Sequence, residues 1–269
     1  MTNEAGSQGV QVGVSSACFF PLETEQAVSL LMDAGERNIE LFVNSFSELE
    51  PQFTHRIIEM VRASGGKIIS VHPFTSNLED MLFSPYARRR QDMMELYKKY
   101  FAFAAEAGAS YVVLHGPSKM FHMSMEFYAD QFWALDQIAR QMGVQILQEN
   151  VERCMSRDIA LLAYMHRQLP DAGFTLDLKQ ARRCGIDTEQ FFRTLGPAIK
   201  HIHFSDSSGA QECLWPGMGA MDIPDFMEML RRYAYDGCLM VEVYGCKSCE
   251  CSILEACAEK IRAYTVQQN

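Results

Sequence analysis

The sequence predicts a single-domain α/β protein folded as an eight-stranded (β/α)8 TIM barrel, and three observations lead to this prediction. The chain has 269 residues, which is the usual length of one such barrel. Hydrophobic residues make up 48% of it, enough for a large core. Short apolar runs alternate with amphipathic segments eight times, as they do when helices connect parallel strands.

The apolar runs are interpreted as buried parallel strands, because each is short, rich in β-branched or other apolar residues, and followed by a turn signal. They span residues 10–19, 39–44, 67–74, 111–117, 144–150, 173–178, 199–206 and 238–245.

The segments between the runs have helical periodicity, as in "ETEQAVSLLMDAG", "RRRQDMMELYKKYFAFAAEAG" and "SMEFYADQFWALDQIARQMG". Gly35, Gly108 and Gly143 follow these three helices, where a glycine commonly ends a helix. A last helix, "SILEACAEKIRAYTV", follows strand eight. The alternative fold is a doubly wound open sheet, but the first turn, "SSACFFPLETE", has no G-x-G-x-x-G.

No linker or low-complexity segment divides the chain, so we expect a flexible lead-in over residues 1–9 and one barrel domain over residues 10–269. The first residues, "MTNEAGSQGVQ", have neither a basic region nor an apolar one, which argues against a signal peptide. No apolar run approaches the ~20 residues of a membrane span. These features predict a cytoplasmic protein with no membrane partner.

The charge balance is acidic, with 24 Lys+Arg against 34 Asp+Glu and a net charge of −10. Nucleic-acid binding favours a basic surface, so no nucleic-acid partner is expected. Nine cysteines without a secretory signal suggest free thiols in a reducing compartment. Cys246, Cys249 and Cys251 have C-x-x-C-x-C spacing, which fits either a soft-metal site or, as we favour, incidental loop thiols.

Ionisable residues lie near the predicted carboxyl ends of seven strands, which meet at the active-site rim of this kind of barrel. Buried charges are normally paired or bound to a metal. The polar residues at these positions are Glu40, His72, His115, Glu149, Asn150, Asp177, His203, Asp206 and Glu242.

Four of these residues come from consecutive strands, each with apolar sequence before it and a loop after it: Glu149, Asp177, His203 and Glu242. Three carboxylates and one imidazole suit a divalent ion, with Mn²⁺ favoured and Mg²⁺, Co²⁺ or Zn²⁺ as alternatives. For any one of these residues alone, an ordinary ion pair is the structural alternative. Because four of them stand at matching positions on consecutive strands, we expect one metal site.

In "IKHIHFSD" (199–206), His201 and His203 face the same side of the strand. His203 lies nearer the strand end and is the better ligand. His201 is either an interior histidine or a residue that supports the site. Asp206 either orients a ligand or caps the turn.

The chain resembles the sugar isomerase/epimerase superfamily of xylose isomerase-like barrels, which includes ketose 3-epimerases, hydroxypyruvate isomerase, inosose-processing enzymes and, more distantly, endonuclease IV. The resemblance covers essentially the whole chain. It is carried by the order and spacing of "VLHGPS", "LQEN", "TLDLKQARRCG", "HIHFSDSSG", "WPGMGAMD" and "VEVYG".

The resemblance implies that the metal ligands are the same four residues, and that Glu149 and Glu242 also serve as the acid/base pair. His72 and His115 match histidines that bind additional zinc ions in the nuclease branch. Gln180 stands where the family often has a histidine that touches substrate. Gln211 and Cys213 stand near two further zinc ligands of the nucleases, so a three-zinc site would be incomplete.

The predicted activity is therefore isomerisation or epimerisation of a sugar or sugar phosphate, by proton transfer beside a carbonyl through a metal-stabilised enediolate. Glu149 and Glu242 would flank the substrate, or act only as metal ligands. His72, His115, Gln180, Arg153 and Trp215 are the candidate substrate-binding residues.

Other side chains near the rim have two interpretations each. Arg182 and Arg183 bind substrate or are solvated loop charges. Phe74, like Trp215, either forms an apolar wall of the site or packs in the core.

Three other functions stay open. The first is a metal-dependent lyase or dehydratase of a keto-sugar or keto-inositol, including carbon–glycoside cleavage. The second is a non-catalytic sugar-binding barrel, and the third an endonuclease IV-like nuclease. The expected partner is a small sugar, and a homo-oligomer is possible.

Overall fold

The computed structural model describes residues 9–74, 78–244, 259 and 261–263, and the predicted eight-stranded barrel is confirmed. Every strand pairs in parallel with its neighbours in chain order, and β8 pairs with β1 to close the sheet. The strands are β1 Gln11–Ser15, β2 Asn38–Val43, β3 Lys67–Pro73, β4 Tyr111–Leu114, β5 Gln145–Glu149, β6 Gly173–Asp177, β7 Ile199–Phe204 and β8 Cys238–Val241.

Helices surround the barrel and connect successive strands. Those in the described part of the chain are α1 Thr24–Asp33, α2 Pro51–Ala63, α3 Leu78–Leu82, α4 Ala87–Ala107, α5 Met125–Gln141, α6 Ile159–Gln168, α7 Leu178–Cys184, α8 Thr188–Leu195 and α9 Ile223–Arg232. None of them is both long and apolar enough to cross a bilayer. Residues 259 and 261–263 are helical, while most of the predicted last helix lies outside the described residues.

The three glycines expected at helix ends adopt positive φ angles, 81° at Gly35, 75° at Gly108 and 86° at Gly143. This left-handed conformation reverses the chain at the end of α1, α4 and α5 before the next strand begins. Gly108 itself caps α4 and donates its N–H to Ala104 and Ala105. The glycines that marked these helix ends in the sequence are therefore explained by the positive φ angles that the backbone adopts there.

The strands are buried on both faces, as the apolar runs indicated. Their outward side chains pack with the helices in one continuous hydrophobic core, in which Val14, Leu41, Ile146 and Leu239 are fully buried. Burial of a side chain of this size stabilises the fold by roughly 1.5–3 kcal/mol. The inward side chains near the carboxyl ends are polar instead, and they form the site described below.

Candidate metal centre

The carboxyl ends of β5 to β8 bring together the four residues predicted as metal ligands. Glu149 and Asp177 are the last residues of β5 and β6, His203 lies in β7, and Glu242 follows β8. The register pairs Asp177 with His203 directly across β6 and β7. None of the four residues is more than 2% exposed, so their charges must be matched within the protein or by a bound ion.

The ring nitrogen Nδ1 of His203 is the centre of this group. It lies 3.3 Å from Oε2 of Glu242, 3.6 Å from Oε1 of Glu149 and 4.0 Å from Oδ2 of Asp177. Despite these three carboxylates, Nδ1 is buried and has no hydrogen-bond partner in the described structure. An imidazole nitrogen that faces several oxygens without a hydrogen bond to any of them has the surroundings of a cation ligand.

The opposite nitrogen of the same ring contacts Glu40, one layer deeper in the barrel. Oε2 of Glu40 lies 3.2 Å from Nε2 of His203 and 3.0 Å from Nε2 of His201. The Ser70 hydroxyl donates to the same oxygen at 2.8 Å. His201 is therefore an interior histidine, and it contacts the same carboxylate oxygen as His203 does.

His72 and His115 lie beside the group on the side of β3 and β4. Their Nε2 atoms are 2.8 Å apart, and Nε2 of His115 is 3.0 Å from Oε2 of Glu149. Nδ1 of His72 lies 3.4 Å from both Glu40 and Glu242. The two predicted substrate-binding histidines therefore extend the ligand cluster. His72 lies between the carboxylates of Glu149 and Glu242, the two candidate bases.

The buried histidines and carboxylates of the site shift one another's pKa values. Burial alone would raise the pKa of Glu149, but the neighbouring His115 and His203 hold it well below its usual value. Burial would likewise raise the pKa of Glu242, but His203 and His72 lower it. In contrast, burial raises the pKa of Asp177, with Lys179 acting in the opposite direction.

Local hydrogen bonds explain why these side chains hold their positions. The Asn150 side chain bonds both backbone groups of Asp177, accepting from its N–H at 2.7 Å and donating to its carbonyl at 3.1 Å. Asp177 then caps α7, because its Oδ1 accepts from the backbone N–H of Gln180 at 2.9 Å. This leaves Oδ2 facing His203. The "EN" pair after β5 thus supplies one candidate ligand and the anchor of another.

A cavity of about 350 Å³ opens above the cluster, a volume suited to a small ligand. Four of the five residues predicted to bind substrate line it: Arg153, Gln180, His72 and His115. Trp215 does not line this cavity and is 96% buried. Phe74 is outside the lining as well, and its ring packs edge-on against Phe46 at 5.2 Å.

Another polar residue near the rim has a structural role. Asp206 accepts backbone N–H groups of Ser207, Gly217, Gly219 and Met221 at 2.7–3.0 Å. It therefore caps the turn, the second of the two roles considered for it.

The two arginines after β6 are also engaged. Arg182 donates to the carbonyls of Ser205 and Glu212, and Arg183 pairs with the Glu212 carboxylate at 2.7 Å. Cys246, Cys249 and Cys251 lie outside the described residues.

Sequence reasoning missed three residues of this site: Phe42, Lys179 and Tyr244 line the cavity. The Tyr244 hydroxyl donates to Oε1 of Glu242 at 2.7 Å. The alternation of β8 contained a signal for Tyr244, since it lies two positions after Glu242 and extended chain places both on one side. Lys179 had no such signal, because it is the second residue of a helix and not the end of a strand.

The structure forms three overlapping groups of buried side chains that could hold a metal ion. One contains Glu149, Asp177 and His203, a second His72, His115 and Glu149, and a third Glu40, His72, His203 and Glu242. Glu242 joins the first group, because its carboxylate also faces Nδ1 of His203. This nitrogen has no hydrogen-bond partner in the described structure and is surrounded by carboxylate oxygens, which fits a divalent ion.

Comparison with known proteins agrees with this architecture. The family model for the xylose isomerase-like TIM barrel matches residues 27–261. The chain belongs to this family. An uncharacterized protein of Mycobacterium tuberculosis is 27% identical over 259 residues, covering 87% of this chain and 89% of its relative. An uncharacterized protein of Mycobacterium leprae is 26% identical over the same length and with the same coverage.

Solved structures share the fold of this xylose isomerase-like barrel at low sequence identity. The IOLI protein with a binding zinc atom has a TM-score of 0.77 and 17% identity, covering 96% of this chain and 97% of that one. A D-tagatose 3-epimerase-like protein has a TM-score of 0.76 and 19% identity, with 95% and 97% coverage. The probable 3-DHS dehydratase AsbF from Bacillus anthracis has a TM-score of 0.73 and 15% identity, with 94% and 98% coverage.

Proposed function

We propose that the protein is a divalent-metal-dependent isomerase or epimerase of a small sugar or sugar derivative. The observation that carries the proposal is the environment of His203 Nδ1, which is buried, has no hydrogen-bond partner among the described residues and faces the carboxylates of Glu149, Asp177 and Glu242. Mn²⁺ suits this set of three oxygen donors and one imidazole, with Mg²⁺, Co²⁺ and Zn²⁺ as alternatives.

A divalent ion held by these four residues would supply Lewis-acid polarisation of a substrate carbonyl, which acidifies the neighbouring C–H. The protein then has to remove and return one proton. A carboxylate does this best when it is ionised at the working pH and close to the carbon. The histidines around them lower the pKa of both glutamates of the quartet, which favours the ionised form.

Glu149 and Glu242 have the contacts expected of an acid/base pair. Each has one oxygen facing His203 and the other engaged by a second group, His115 for Glu149 and the Tyr244 hydroxyl for Glu242. They come from β5 and β8 and line the same cavity. In epimerisation one removes the proton from one face of the substrate and the other returns a proton to the opposite face. In isomerisation a single carboxylate returns it to the adjacent carbon.

Arg153, Gln180, His72 and His115 line the remaining wall, and we assign them to the substrate hydroxyls. The fold is shared with proteins described as D-tagatose 3-epimerase-like and as a probable 3-DHS dehydratase. Both descriptions are consistent with chemistry beside a carbonyl. The shared fold is therefore compatible with an epimerase and with a dehydratase, and our choice of isomerisation or epimerisation rests on the residues of the site.

The test is a panel of ketoses incubated with metal-loaded protein in D₂O and followed by NMR. We expect a product with deuterium at the carbon beside the carbonyl, because a general base exchanges its proton with solvent. An unsaturated product formed with loss of water would instead identify a dehydratase. Cleavage of an abasic DNA duplex with no turnover of any sugar would overturn the proposal.

The metal site is tested separately by elemental analysis. We expect about one equivalent of divalent ion per chain, because the four ligands surround one nitrogen. The substitution His203→Ala, alone or with Asp177→Ala, should abolish binding. His55→Ala is the matched control, since His55 is exposed on α2 and pairs with Glu106. Full occupancy in the double variant would show that the ligands are elsewhere.

A further inference from the structure

Glu242 differs from the other three candidate ligands in its place on the sheet. The other three lie within β5, β6 and β7, whereas β8 ends at Val241, one residue before Glu242. The pairing of β8 with both β1 and β7 also stops at Val241 in the described structure. Glu242 and Val243 are nevertheless buried, and buried backbone groups need hydrogen-bond partners. The segment after Val241 must therefore be held by groups other than paired strand residues.

Two cysteine thiols bond this segment, and the first comes from the short helical turn after β1. Sγ of Cys18 accepts the N–H of Val243 at 3.3 Å and donates to the carbonyl of Val241 at 3.5 Å. In a parallel ladder, a residue of the neighbouring strand bonds the same pair of groups, a carbonyl and the N–H two positions later. A thiol is a weak donor and a weak acceptor at once, so Cys18 replaces one further residue of β1 in this ladder.

The second thiol belongs to Cys213, in the turn after β7, and it bonds the next pair of backbone groups. Its Sγ accepts the N–H of Tyr244 at 3.5 Å and donates to the carbonyl of Glu242 at 3.8 Å. These are the two residues whose side chains meet in the cavity, where the Tyr244 hydroxyl donates to Oε1 of Glu242 at 2.7 Å. Cys213 therefore holds both partners of this contact by their backbones, and it lines the cavity itself.

The segments that carry the two thiols are themselves anchored. Leu214, next to Cys213, exchanges two backbone hydrogen bonds of 2.8 Å with Asp206, and Asp206 accepts the N–H groups of the turn described above. Cys18 is 2% exposed and belongs to the hydrophobic core. Both thiols thus reach the end of β8 from fixed backbone, which a residue needs in order to position another one.

We propose that Cys18 and Cys213 are positioning residues that hold Glu242 in the metal site, with Cys213 acting on Glu242 and Tyr244 together. The inference rests on the proposed function, since Glu242 is the proposed ligand and base of that site. Neither thiol is assigned as a ligand or a base. Each supplies one donor and one acceptor to the backbone beyond the end of β8. Serine at position 213 would keep a donor and an acceptor, whereas alanine would remove both.

Amide hydrogen exchange of the metal-free protein, measured residue by residue by NMR, tests the two contacts. Cys213→Ala should speed exchange of the Tyr244 N–H, and Cys18→Ala that of the Val243 N–H. We expect each rate to rise about 2- to 10-fold, the change that follows from loss of one modest hydrogen bond. Cys238→Ala is the matched control and should leave both rates unchanged, because this buried thiol contacts Gln11 at the start of the same strand.

Divalent-metal affinity, measured by chelator competition, tests the consequence for Glu242. Cys213→Ala and Cys18→Ala should each weaken the affinity by about 10-fold, the lower end of what loss of a group that supports a ligand costs. Cys213→Ser should stay within about threefold of the wild type, because it keeps both hydrogen-bonding functions. Cys238→Ala should bind metal as the wild type does, so that a general loss of stability does not account for the change.

The inference is overturned if either alanine variant keeps the amide exchange rate or the metal affinity of the wild type, or if Cys213→Ser is as impaired as Cys213→Ala. Wild-type metal binding in all variants would preserve the proposed function and reject the inference. If the wild type binds no divalent ion, the proposed function fails, and crystal structures of the metal-free variants decide the inference. Cys213→Ala should then break the contact between the Tyr244 hydroxyl and Glu242, and Cys213→Ser should keep it.

Discussion

Glu40 and His203 are 163 positions apart in the chain, yet Oε2 of Glu40 and Nε2 of His203 lie 3.2 Å apart in the barrel interior. Burial would raise the pKa of Glu40, but His203 and the bonds from His201 and His72 hold it well below its usual value. An ionised carboxylate at this distance favours a proton on Nε2. The lone pair of His203 is then on Nδ1, the nitrogen that faces the other three candidate ligands.

The first prediction concerns this contact. Glu40→Gln should weaken divalent-metal affinity by about 10- to 100-fold, as loss of a carboxylate behind a ligating histidine usually does. Chelator competition measures this directly and requires no activity. Glu48→Gln is the control, since Glu48 is also buried but is bonded by Thr24 and Asn44 rather than by histidines. Equal affinity in the Glu40 variant and the wild type would contradict the assignment.

The second prediction concerns the two candidate bases. Glu149→Gln and Glu242→Gln should each lower kcat by about 10²- to 10⁴-fold when assayed at saturating metal, because each removes one acid/base group. Glu152→Gln, three residues beyond Glu149, should keep nearly full activity, since Glu152 pairs with Lys119 away from the cluster. If metal saturation restored the rate of either site variant, the carboxylate would act only as a ligand.

The third prediction is a pH dependence of the stability of the metal-free protein. Burial would lower the pKa of His72, but the carboxylates of Glu242 and Glu40 raise it to about 10. A histidine whose pKa is higher in the folded state stabilises the fold at low pH, and this contribution is lost as the pH rises from about 6.5 toward 10. The free energy of unfolding should therefore fall by up to ~1.4 kcal/mol per pH unit over this range.

Urea denaturation in the presence of a chelator measures this slope. The His72→Gln variant should be less stable at pH 6.5 and have a flatter profile, whereas His55→Gln on the exposed face of α2 should follow the wild type. A wild-type profile that is flat between pH 6.5 and 9.5 would mean that His72 is neutral in the metal-free fold.

The fourth prediction concerns the turn after β7. Asp206→Ala removes an acceptor of four backbone N–H groups, of which Gly217, Gly219 and Met221 lie more than ten positions away. Hydrogen bonds to charged groups contribute roughly 1.5–3 kcal/mol each and are not additive, so we expect a loss of about 2–4 kcal/mol. Asp222→Ala, which removes the N-cap of α9, should cost only ~1 kcal/mol.

Limited proteolysis provides the second measurement. The segment 207–221 should become susceptible to cleavage in Asp206→Ala and stay resistant in Asp222→Ala. Equal stability of the two variants would show that the turn is held by its apolar contacts, chiefly those of the buried Trp215.

The fold and the meeting of the quartet could be predicted because both follow from local pattern. Eight apolar runs that alternate with amphipathic segments specify parallel strands and crossover helices. In a closed parallel barrel every strand delivers its carboxyl end to one rim. Glu149, Asp177, His203 and Glu242 therefore converge whatever the details of packing. Arg153, in the loop after β5, and Gln180, in the first turn of α7, reach the same rim because they directly follow two of these strands.

Only the tertiary structure determined the contacts between residues that are far apart in sequence. The carboxylate of Glu40 contacts both His201 and His203 because the inward side chains of β2 and β7 meet inside the closed barrel. Trp215 is buried outside the cavity lining, although the sequence made it a candidate for substrate binding. Asp206 anchors its own turn, although it follows a strand end as the quartet does. Lys179 lines the cavity because α7 begins directly after Asp177, with no loop between strand and helix. Local periodicity determines which strand face a side chain occupies, whereas the register and stagger of the closed sheet determine its partner.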